Sequence, residues 1–460
     1  MNNKNITVNK IVEICNGKLL SGEKNIEIET YSKDTRTLKK GDMYLGIKGE
    51  KINGNNYIEQ AFINGAIGCI TDENVNEEII NKYKYKEKVI IKVENTIKAI
   101  QELAKYKRSL YDIPVIAVTG SVGKTSTKDI IANVLEQKYK VLKTEGNMNN
   151  HIGLPMTLLK LKDHTAVVVE MGMNHFGEIS LLTNIAKPTG CVITNIGTSH
   201  IGNLGSRENI LKAKLEILEG LDKSGFVLIN NDNDLLHKWA KKEKKYKVYT
   251  YGLENNSTYM AKNITTLENS SEFEINGIKG NVPIGGIHFV YNSVCAFAVG
   301  DILNVEKEKI IKGISEFKLT AKRMDIEIIQ DNIKIINDSY NASYDSMKAA
   351  LEVVNNTLAQ RKIAILGDML ELGDYAKELH EKVGEEVVKN KIDILITIGE
   401  NAKNIANKAK ELKMENVQSF NNIDEAIKNI KEIIKSGDLI LLKASNSMNF
   451  SKILKELKEI

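Results

Sequence analysis

The stretch VIAVTGSVGKTSTKD, residues 115–129, has the residue types of a phosphate-binding loop. The usual pattern is a glycine, four residues and then Gly-Lys-Ser/Thr, and Gly123, Lys124 and Thr125 match its second half. Backbone N–H groups in such a turn bind phosphate oxygens, the lysine neutralises the outer phosphates, and the threonine hydroxyl suits magnesium. Val118 replaces the first glycine, so the pattern alone leaves open whether the site is intact.

Two further side chains in this part of the chain could hold a metal ion. Glu170 ends the apolar run AVVVE, where nucleotide hydrolases often place a magnesium-directed carboxylate, although a carboxylate there could also cap a helix. His200 lies in the loop NIGTSHIG, and a lone loop histidine is more often a polar surface residue than a ligand. Both alternatives stay open at this point.

Lys214 lies in the middle of an apolar helix face. The spacing of apolar residues in ENILKAKLEILEGL, residues 208–221, predicts one amphipathic helix across the whole segment. The Lys214 side chain could extend along the apolar surface to water. Alternatively, it is desolvated and its pKa falls, and the uncharged amine can then react with carbon dioxide to give a carbamate, an anionic oxygen ligand.

The elements that must position these residues fall into three regions of α/β character, 1–110, 111–316 and 317–460. The first mixes short strands with the helix IKAIQELAKYKRSL. The second alternates helices with the apolar strands PVIAVT, TAVVVE, CVITN and FVLIN, typical of a buried parallel sheet. The third repeats this with KIAILGD, DILITIGE and DLILLKAS and with a helix, NIDEAIKNIKEIIKSG, that we expect Gly437 to close.

Three of the second region's strands end in a polar residue: Glu170, Asn195 and Asn230. In open α/β sheets, ligands bind at the carboxyl ends of the strands. The coincidence of three polar ends therefore indicates a ligand site at this edge of the sheet.

The composition describes an ordinary globular protein of several domains, with 460 residues, 42% apolar and 27% charged. A net charge of +4 gives no support for a nucleic-acid partner. The four cysteines are far apart, which indicates neither a zinc site nor a disulfide framework. We see no signal peptide and no apolar run long enough to span a bilayer, so we expect a cytoplasmic protein that is not a membrane protein.

A set of motifs in fixed order resembles the Mur ligases. The motifs are TGSVGKTSTKD, GNMNNHIGLPMTLL, EMGMNHFGEI, NIGTSHIGNLGSRENILKAKLEI, GIHFVYNSVCAFA, SYNASYDSMKAAL and LGDMLELG. The phosphate loop of this family has the form Thr-Gly-Ser/Thr-x-Gly-Lys-Thr/Ser and needs no outer glycine, which accounts for Val118. The resemblance implies three domains: a small α/β N-terminal UDP-sugar domain, a central phosphate-loop ATPase domain with a mostly parallel sheet, and a C-terminal Rossmann-like domain.

The resemblance also implies roles for individual residues. Lys124, Glu170, His200 and Lys214 would be catalytic. The metal ligands would be Thr125, Glu170, His200 and a carbamylated Lys214, serving two magnesium ions. The ATP-binding residues would be Thr119, Gly120, Ser121, Val122, Gly123, Lys124, Thr125, Ser126, Asn292, Arg323 and Asp338. The substrate-binding residues would be Thr35, Arg36, Lys48, Asn149, Asn150, Asn341, Lys443 and Ser445.

The implied activity is ATP-dependent amide-bond formation in peptidoglycan precursor synthesis. LGDMLELG and the SYNA run are similar to the family member whose substrates are UDP-N-acetylmuramoyl-tripeptide and D-alanyl-D-alanine. We expect a monomer. The alternatives are a phosphate-loop NTPase that acts as a switch or motor, and a related ligase with a different amino-acid acceptor.

The chain departs from the family pattern at three places. Asn53, Gly54 and Asn55 stand where Asp-Gly-His is usual. Ser343 and Tyr344 follow SYNA, where Asn-Pro is usual. In the last motif, Ala444 and Asn446 replace the glycine and arginine of Lys-Gly-Ser-Arg. We expect these changes to affect substrate contacts rather than the ATP chemistry.

Overall fold

The structure is a computed structural model that describes residues 4–84, 88–319 and 324–459. Those residues form α/β layers around mostly parallel sheets, as the sequence predicts. Within the same ranges, no helix combines the length and the apolar character that a membrane span requires. Arg323, predicted to contact the nucleotide, lies outside the described residues.

The first region folds around a sheet that is parallel except at its edge strand Lys18–Ser21. Its strands are β1 (Ile6–Thr7), β2 (Lys18–Ser21), β3 (Glu27–Ile28), β4 (Tyr31–Ser32), β5 (Met43–Gly46), β6 (Gly68–Thr71) and β7 (Val89–Lys92). Its helices are α1 (Val8–Ile14), α2 (Ile58–Ile63), α3 (Glu77–Lys84) and α4 (Thr96–Ser109). The strand order is β2-β7-β6-β5-β4, with β1 and β3 paired separately.

The second region forms the largest sheet. Its strands are β8 (Val115–Thr119), β9 (Val141–Lys143), β10 (Ala166–Glu170), β11 (Gly190–Ile193), β12 (Phe226–Asn230), β13 (Lys247–Gly252), β14 (Tyr259–Thr266), β15 (Ser271–Ile275) and β16 (Ile278–Val282). Its helices are α5 (Lys124–Glu136), α6 (Gly153–Leu158), α7 (Glu178–Ala186), α8 (Ile201–Leu204), α9 (Arg207–Leu215), α10 (Asp234–Lys242), α11 (Ile287–Ile302) and α12 (Lys307–Ser315). The order is β16-β15-β14-β13-β12-β11-β8-β10-β9.

The pairing explains why the predicted strands are so apolar. The neighbouring strands from β14 across the sheet to β9 pair in parallel. The pairs β14–β15 and β15–β16 at the other end of the sheet are antiparallel. The apolar side chains of β8, β10, β11 and β12 are buried, as expected where helices cover both faces of a sheet. The carboxyl ends of these strands therefore share one edge, as the sequence predicts.

The third region is a smaller parallel sheet with one antiparallel edge. Its strands are β17 (Asp325–Ile328), β18 (Lys334–Asn337), β19 (Arg361–Gly367), β20 (Ile394–Ile398), β21 (Val417–Phe420) and β22 (Asp438–Lys443). Its helices are α13 (Tyr344–Asn356), α14 (Ala376–Lys389), α15 (Lys403–Glu411), α16 (Ile423–Ile433) and α17 (Ser451–Leu457). The order is β17-β18-β22-β19-β20-β21, in which only β17 pairs antiparallel among the described strands.

Two predicted helix ends are wrong. The helix predicted over 208–221 ends at Leu215 and continues as a 3-10 turn, Glu216–Gly220. In that turn the Glu216 carboxylate accepts hydrogen bonds from the N–H groups of Gly177 (2.8 Å) and Ser180 (3.1 Å) at the start of α7. In the third region, α16 ends at Ile433 because the next residue becomes extended and buries its side chain, so Gly437 lies in the turn before β22 rather than at the helix end.

Candidate active site

The phosphate loop joins β8 to the first turn of α5. Gly123 precedes the helix with a φ of +80°, a conformation that glycine adopts without strain. Gly120 has a second reason to be glycine, because a Cβ there would collide with the Thr194 hydroxyl. Asn195 accepts a hydrogen bond from the Val122 N–H (2.9 Å), which ties the loop to the end of β11. The loop is therefore an intact turn at a helix N-terminus, where backbone N–H groups can bind an anion.

Glu170 lies directly beside the phosphate loop. Thr125 Oγ1 donates a 2.6 Å hydrogen bond to Glu170 Oε2, and Asn149 Nδ2 donates a 2.7 Å bond to the other carboxylate oxygen. Glu170 is almost fully buried, and its backbone N–H donates a hydrogen bond to the Thr144 hydroxyl. A hydroxyl and a carboxylate so placed are hard oxygen ligands of the kind that magnesium prefers.

Lys214 is buried at the same edge of the sheet. Its relative exposure is 2%, and no hydrogen-bond or ion-pair partner faces its Nζ among the described residues. Burial, together with the nearby Lys124 ammonium, lowers the pKa of Lys214 well below its usual value. The structure therefore favours the desolvated alternative over a side chain that reaches water.

His200 lies where the second region meets the third. Its backbone is left-handed, with a φ of +64°, and its Nδ1 lies 2.5 Å from Glu371 Oε2. This hydrogen bond lowers the pKa of the Glu371 carboxyl. Glu371 belongs to the LGDMLELG motif, which the sequence reading left without a role, so the pairing is a contact that sequence reasoning missed.

A cavity of about 870 Å³ brings most of the predicted site residues together. It is lined by Ser121, Val122, Gly123, Lys124, Thr125, Ser126, Asn149, Asn150, Glu170, His200, Lys214, Asn292, Asp338, Asn341 and Lys443. The residues come from both the second and the third region, so the cavity lies between their sheets. Neither Thr119, buried at the end of β8, nor Gly120 lines it directly.

The third-region residues in the cavity contact one another. The Lys443 ammonium forms an ion pair with Asp338 and donates a 3.0 Å hydrogen bond to the Asn341 carbonyl. Asn292, from α11, instead contacts α5, where its Oδ1 accepts a 3.0 Å hydrogen bond from Thr127 Oγ1. Two residues predicted for different ligands, Asp338 and Lys443, are therefore a single charge pair in this structure.

The predicted substrate residues Thr35, Arg36, Lys48 and Ser445 are not among the residues that line this cavity. The exposed Arg36 guanidinium forms an ion pair with Asp34 (2.7 Å), and the Thr35 carbonyl accepts from Asn64. Ser445 accepts a 3.1 Å hydrogen bond from the Leu370 N–H. The structure thus places the first three in a separate part of the chain and gives Ser445 a structural contact.

Asn55, which replaces the usual histidine, has a structural explanation. Its side chain donates to Asn53 (3.0 Å) and Asp72 (2.9 Å) and accepts from the Thr71 hydroxyl (2.7 Å). The residue is buried, so its polar atoms need these partners. The substitution therefore forms a closed polar network within the first sheet.

Among the described residues, no group of three or more His, Cys, Asp or Glu side chains is arranged to hold a metal ion. The described part of the chain contains no metal site built from such side chains alone.

His288 lines the cavity and was missed by the sequence reading, although it lies one helical turn before Asn292. Burial lowers its pKa to about 4. The unfolded chain, with a histidine pKa of about 6.5, binds more protons between these two values, so stability falls as pH drops through that window. We expect His288→Asn to reduce the stability lost between about pH 7 and pH 4.5 by about 2 kcal/mol.

Thermal unfolding of the parent and of this variant across that range measures the effect. The exposed His175→Asn variant is the control, since it should keep the parent's pH dependence. An equal pH dependence in His288→Asn and the parent would contradict the assignment.

Comparisons with known proteins follow the same three regions. Residues 27–108 match the family described as Mur ligase family, catalytic domain, residues 118–300 the Mur ligase middle domain, and residues 322–446 the Mur ligase, glutamate ligase domain. The chain is 38% identical over 459 residues to UDP-N-acetylmuramoyl-tripeptide--D-alanyl-D-alanine ligase from Bacillus subtilis (strain 168), covering 98% of each chain.

Solved structures agree over the whole fold. A crystal structure of MurF from Acinetobacter baumannii superposes with a TM-score of 0.89 at 27% identity and full coverage of both chains. The MurF ligase from Thermotoga maritima in complex with ADP gives a TM-score of 0.80 at 26% identity, covering 94% of this chain and 97% of that one.

Proposed function

The chain belongs to the Mur ligase family, and we propose that it joins D-alanyl-D-alanine to UDP-N-acetylmuramoyl-tripeptide with consumption of ATP. Likeness over almost the entire length to ligases of that name is the observation that carries the assignment. The enzyme is thus a carbon–nitrogen ligase of peptidoglycan precursor synthesis. We also propose a cytoplasmic monomer, with domains over 1–110, 111–316 and 317–460 that bind the UDP-sugar, bind ATP and close over the site.

The reaction starts with transfer of the ATP γ-phosphoryl group to the terminal carboxylate of the tripeptide. This gives ADP and an acyl phosphate. The amine of D-alanyl-D-alanine then attacks the acyl carbon, an amide bond forms, phosphate leaves, and the amine loses a proton. The ADP-bound relative supports nucleotide binding at the phosphate loop of this chain.

Charge is the main obstacle to the first step, because a carboxylate and a triphosphate repel each other. The phosphate loop offers N–H groups at the start of α5, and Lys124 supplies a positive charge at the same end. Asn292 and Asp338 line the same cavity and are assigned to the nucleoside. Arg323 is assigned to the nucleotide from the family resemblance alone.

The residues present fit magnesium. Thr125 and Glu170 are 2.6 Å apart and would hold one ion, while His200 and a carbamylated Lys214 would hold a second. Magnesium commonly takes only one or two protein carboxylates and completes its shell with phosphate and water oxygens. When bound, it would neutralise charge on the phosphates.

The Lys214 carbamate rests on the burial of the amine and its lowered pKa. The uncharged nitrogen forms a bond to carbon dioxide and releases a proton, which converts a neutral buried amine into an anion. That anion would face the positive charges of the site rather than add to them.

The acyl phosphate must be protected from water. Asp338, Asn341 and Lys443 from the third region line the cavity together with the phosphate loop. We assign Asn149, Asn150, Asn341 and Lys443, which line the cavity, to the peptide and its acceptor. Ser445 is assigned to the peptide, and Thr35, Arg36 and Lys48 to the UDP-sugar, from the family resemblance alone. Exclusion of water by a docked third domain suits an intermediate that hydrolysis would destroy.

Phosphate release from ATP, measured with each substrate alone and with both together, tests the function. We expect release only when UDP-N-acetylmuramoyl-tripeptide and D-alanyl-D-alanine are both present. L-alanyl-L-alanine is the matched control acceptor, and a panel of single amino acids tests for a different acceptor within the family. Phosphate release without either organic substrate would instead indicate an NTPase switch or motor, and the assignment would fail.

A further inference from the structure

The loop that follows β19 docks on the segment that contains His200. The Gly202 N–H donates a 3.1 Å hydrogen bond to the Glu371 carbonyl, and Tyr375 Oη donates a 2.6 Å bond to the Gly205 carbonyl. A Cβ at Gly202 would lie only 2.5 Å from the Gly373 nitrogen, so the two backbones approach closely. We call this contact between residues 368–375 and residues 197–205 the docking contact.

The carboxylate of Asp345, which lies on helix α13 outside the loop after β19, adds further hydrogen bonds to the docking contact. Asp345, in the first turn of α13, accepts hydrogen bonds from the Thr198 N–H (2.8 Å) and the Thr198 hydroxyl (2.9 Å). The third region therefore holds the His200 segment at several points. Docking does not depend on Glu371 alone.

Glu371 makes the one side-chain hydrogen bond recorded to the His200 ring among the described residues, at Nδ1 (2.5 Å). Both residues have left-handed backbones, with φ of +64° for His200 and +61° for Glu371. Such conformations are unfavourable for a non-glycine residue and persist where surrounding structure holds them. The contacts between the two regions therefore hold both backbones in the geometry that brings the Glu371 carboxylate to the His200 ring.

The hydrogen bond has a defined effect on the imidazole. A carboxylate acceptor at Nδ1 places the proton of the neutral ring there and leaves Nε2 unprotonated. His200 lines the cavity, whereas Glu371 does not. The ring therefore connects the docking contact on one side to the reaction site on the other.

We propose that Glu371 is a positioning residue for His200, so that the imidazole takes its working orientation and tautomer only when the third region is docked. The inference rests on the proposed function for the role it gives His200 beside the phosphates. The LGDMLELG motif would then couple docking of the third region to the orientation of His200 in the central site.

The competing explanation is that Glu371 only adds an ion pair to the docking contact. The Glu371 side chain is 48% exposed, and ion pairs with an exposed partner stabilise little. Tyr375→Phe separates the two explanations, because it removes a hydrogen bond from the same contact without touching His200. A purely structural role predicts similar effects of Tyr375→Phe and Glu371→Ala.

The test uses side-chain ¹⁵N NMR on histidine-labelled full-length protein at about pH 8, where a free imidazole is neutral. The chain has 7 histidines, and His200→Gln identifies the His200 signals by their loss. We expect Nδ1-protonated His200 in the parent and in Tyr375→Phe, and loss of that signature in Glu371→Ala. Unchanged His200 signals in Glu371→Ala would overturn the proposal.

Turnover is the second measurement. We expect Glu371→Ala to lower kcat by about 10- to 100-fold with the KM for D-alanyl-D-alanine within about twofold, as for loss of a group that orients a ligating histidine. Glu371→Gln, which keeps a hydrogen-bond acceptor, should fall between Glu371→Ala and the parent, and Tyr375→Phe should stay within about twofold of the parent. Equal losses in Tyr375→Phe and Glu371→Ala would contradict positioning.

The turnover and NMR measurements test the proposed function and the role of Glu371 independently. Absence of acceptor-dependent turnover in the parent would refute the proposed function, while the NMR comparison needs neither ATP nor metal and still decides whether Glu371 sets the state of His200.

Discussion

Lys124→Ala is expected to lower phosphate release in the presence of both organic substrates by about 1000-fold. Lys124 is the first residue of α5 and lines the cavity with the phosphate loop. In the proposed mechanism its ammonium neutralises the charge that develops on the transferring phosphoryl group. Stopped-time phosphate assays measure the loss of rate. Calorimetry of ATP binding shows how much of that loss comes from weaker binding rather than from a slower chemical step.

Lys138→Ala is the matched control for this prediction. Lys138 lies just beyond the other end of α5, is exposed, and donates to the Leu303 and Asn304 carbonyls. We expect that variant to remain within about twofold of the parent. Comparable activity in Lys124→Ala and the parent would remove the phosphate loop from the mechanism.

Lys214→Ala is expected to lower turnover by a similar factor, about 1000-fold, with partial recovery when formate or acetate is added. The physical reason is loss of the anionic oxygen that a carbamate would supply, which a small carboxylate diffusing into the space left by the side chain can partly replace. The measurement is turnover as a function of carboxylate concentration. Full activity in this variant would refute the carbamate.

Stability separates this effect from misfolding. Lys214 is a buried amine without a described partner, so replacing it removes an unfavourable desolvation and should not lower the unfolding midpoint greatly. Lys212→Ala, on the exposed face of the same helix, is the control and should keep the parent's activity. Severe destabilisation of Lys214→Ala, with no rescue by carboxylate, would contradict the proposed role.

Short-range patterns predicted the elements around the site well. The strand before the phosphate loop, the helix after it and the apolar strands β10 and β12 are present where the residues indicate, because burial on both faces and helical spacing are local properties. Glu170 follows from the same logic, since parallel strands bring their ends to one edge. The helix ends at Leu215 and Ile433 were missed because burial of neighbouring residues and contacts with α7 override local periodicity.

The sequence by itself determined the α/β class, the phosphate loop and the unusual position of Lys214 on an apolar face. Each of these depends on residues within one helix or one strand–turn–helix unit. Only the tertiary structure decided that Lys443 pairs with Asp338, that Asn55 is part of a buried network, and that Glu371 meets His200. His200 and Glu371 are 171 positions apart, and a hydrogen bond between them exists only because two separately folded sheets dock, which no local pattern encodes.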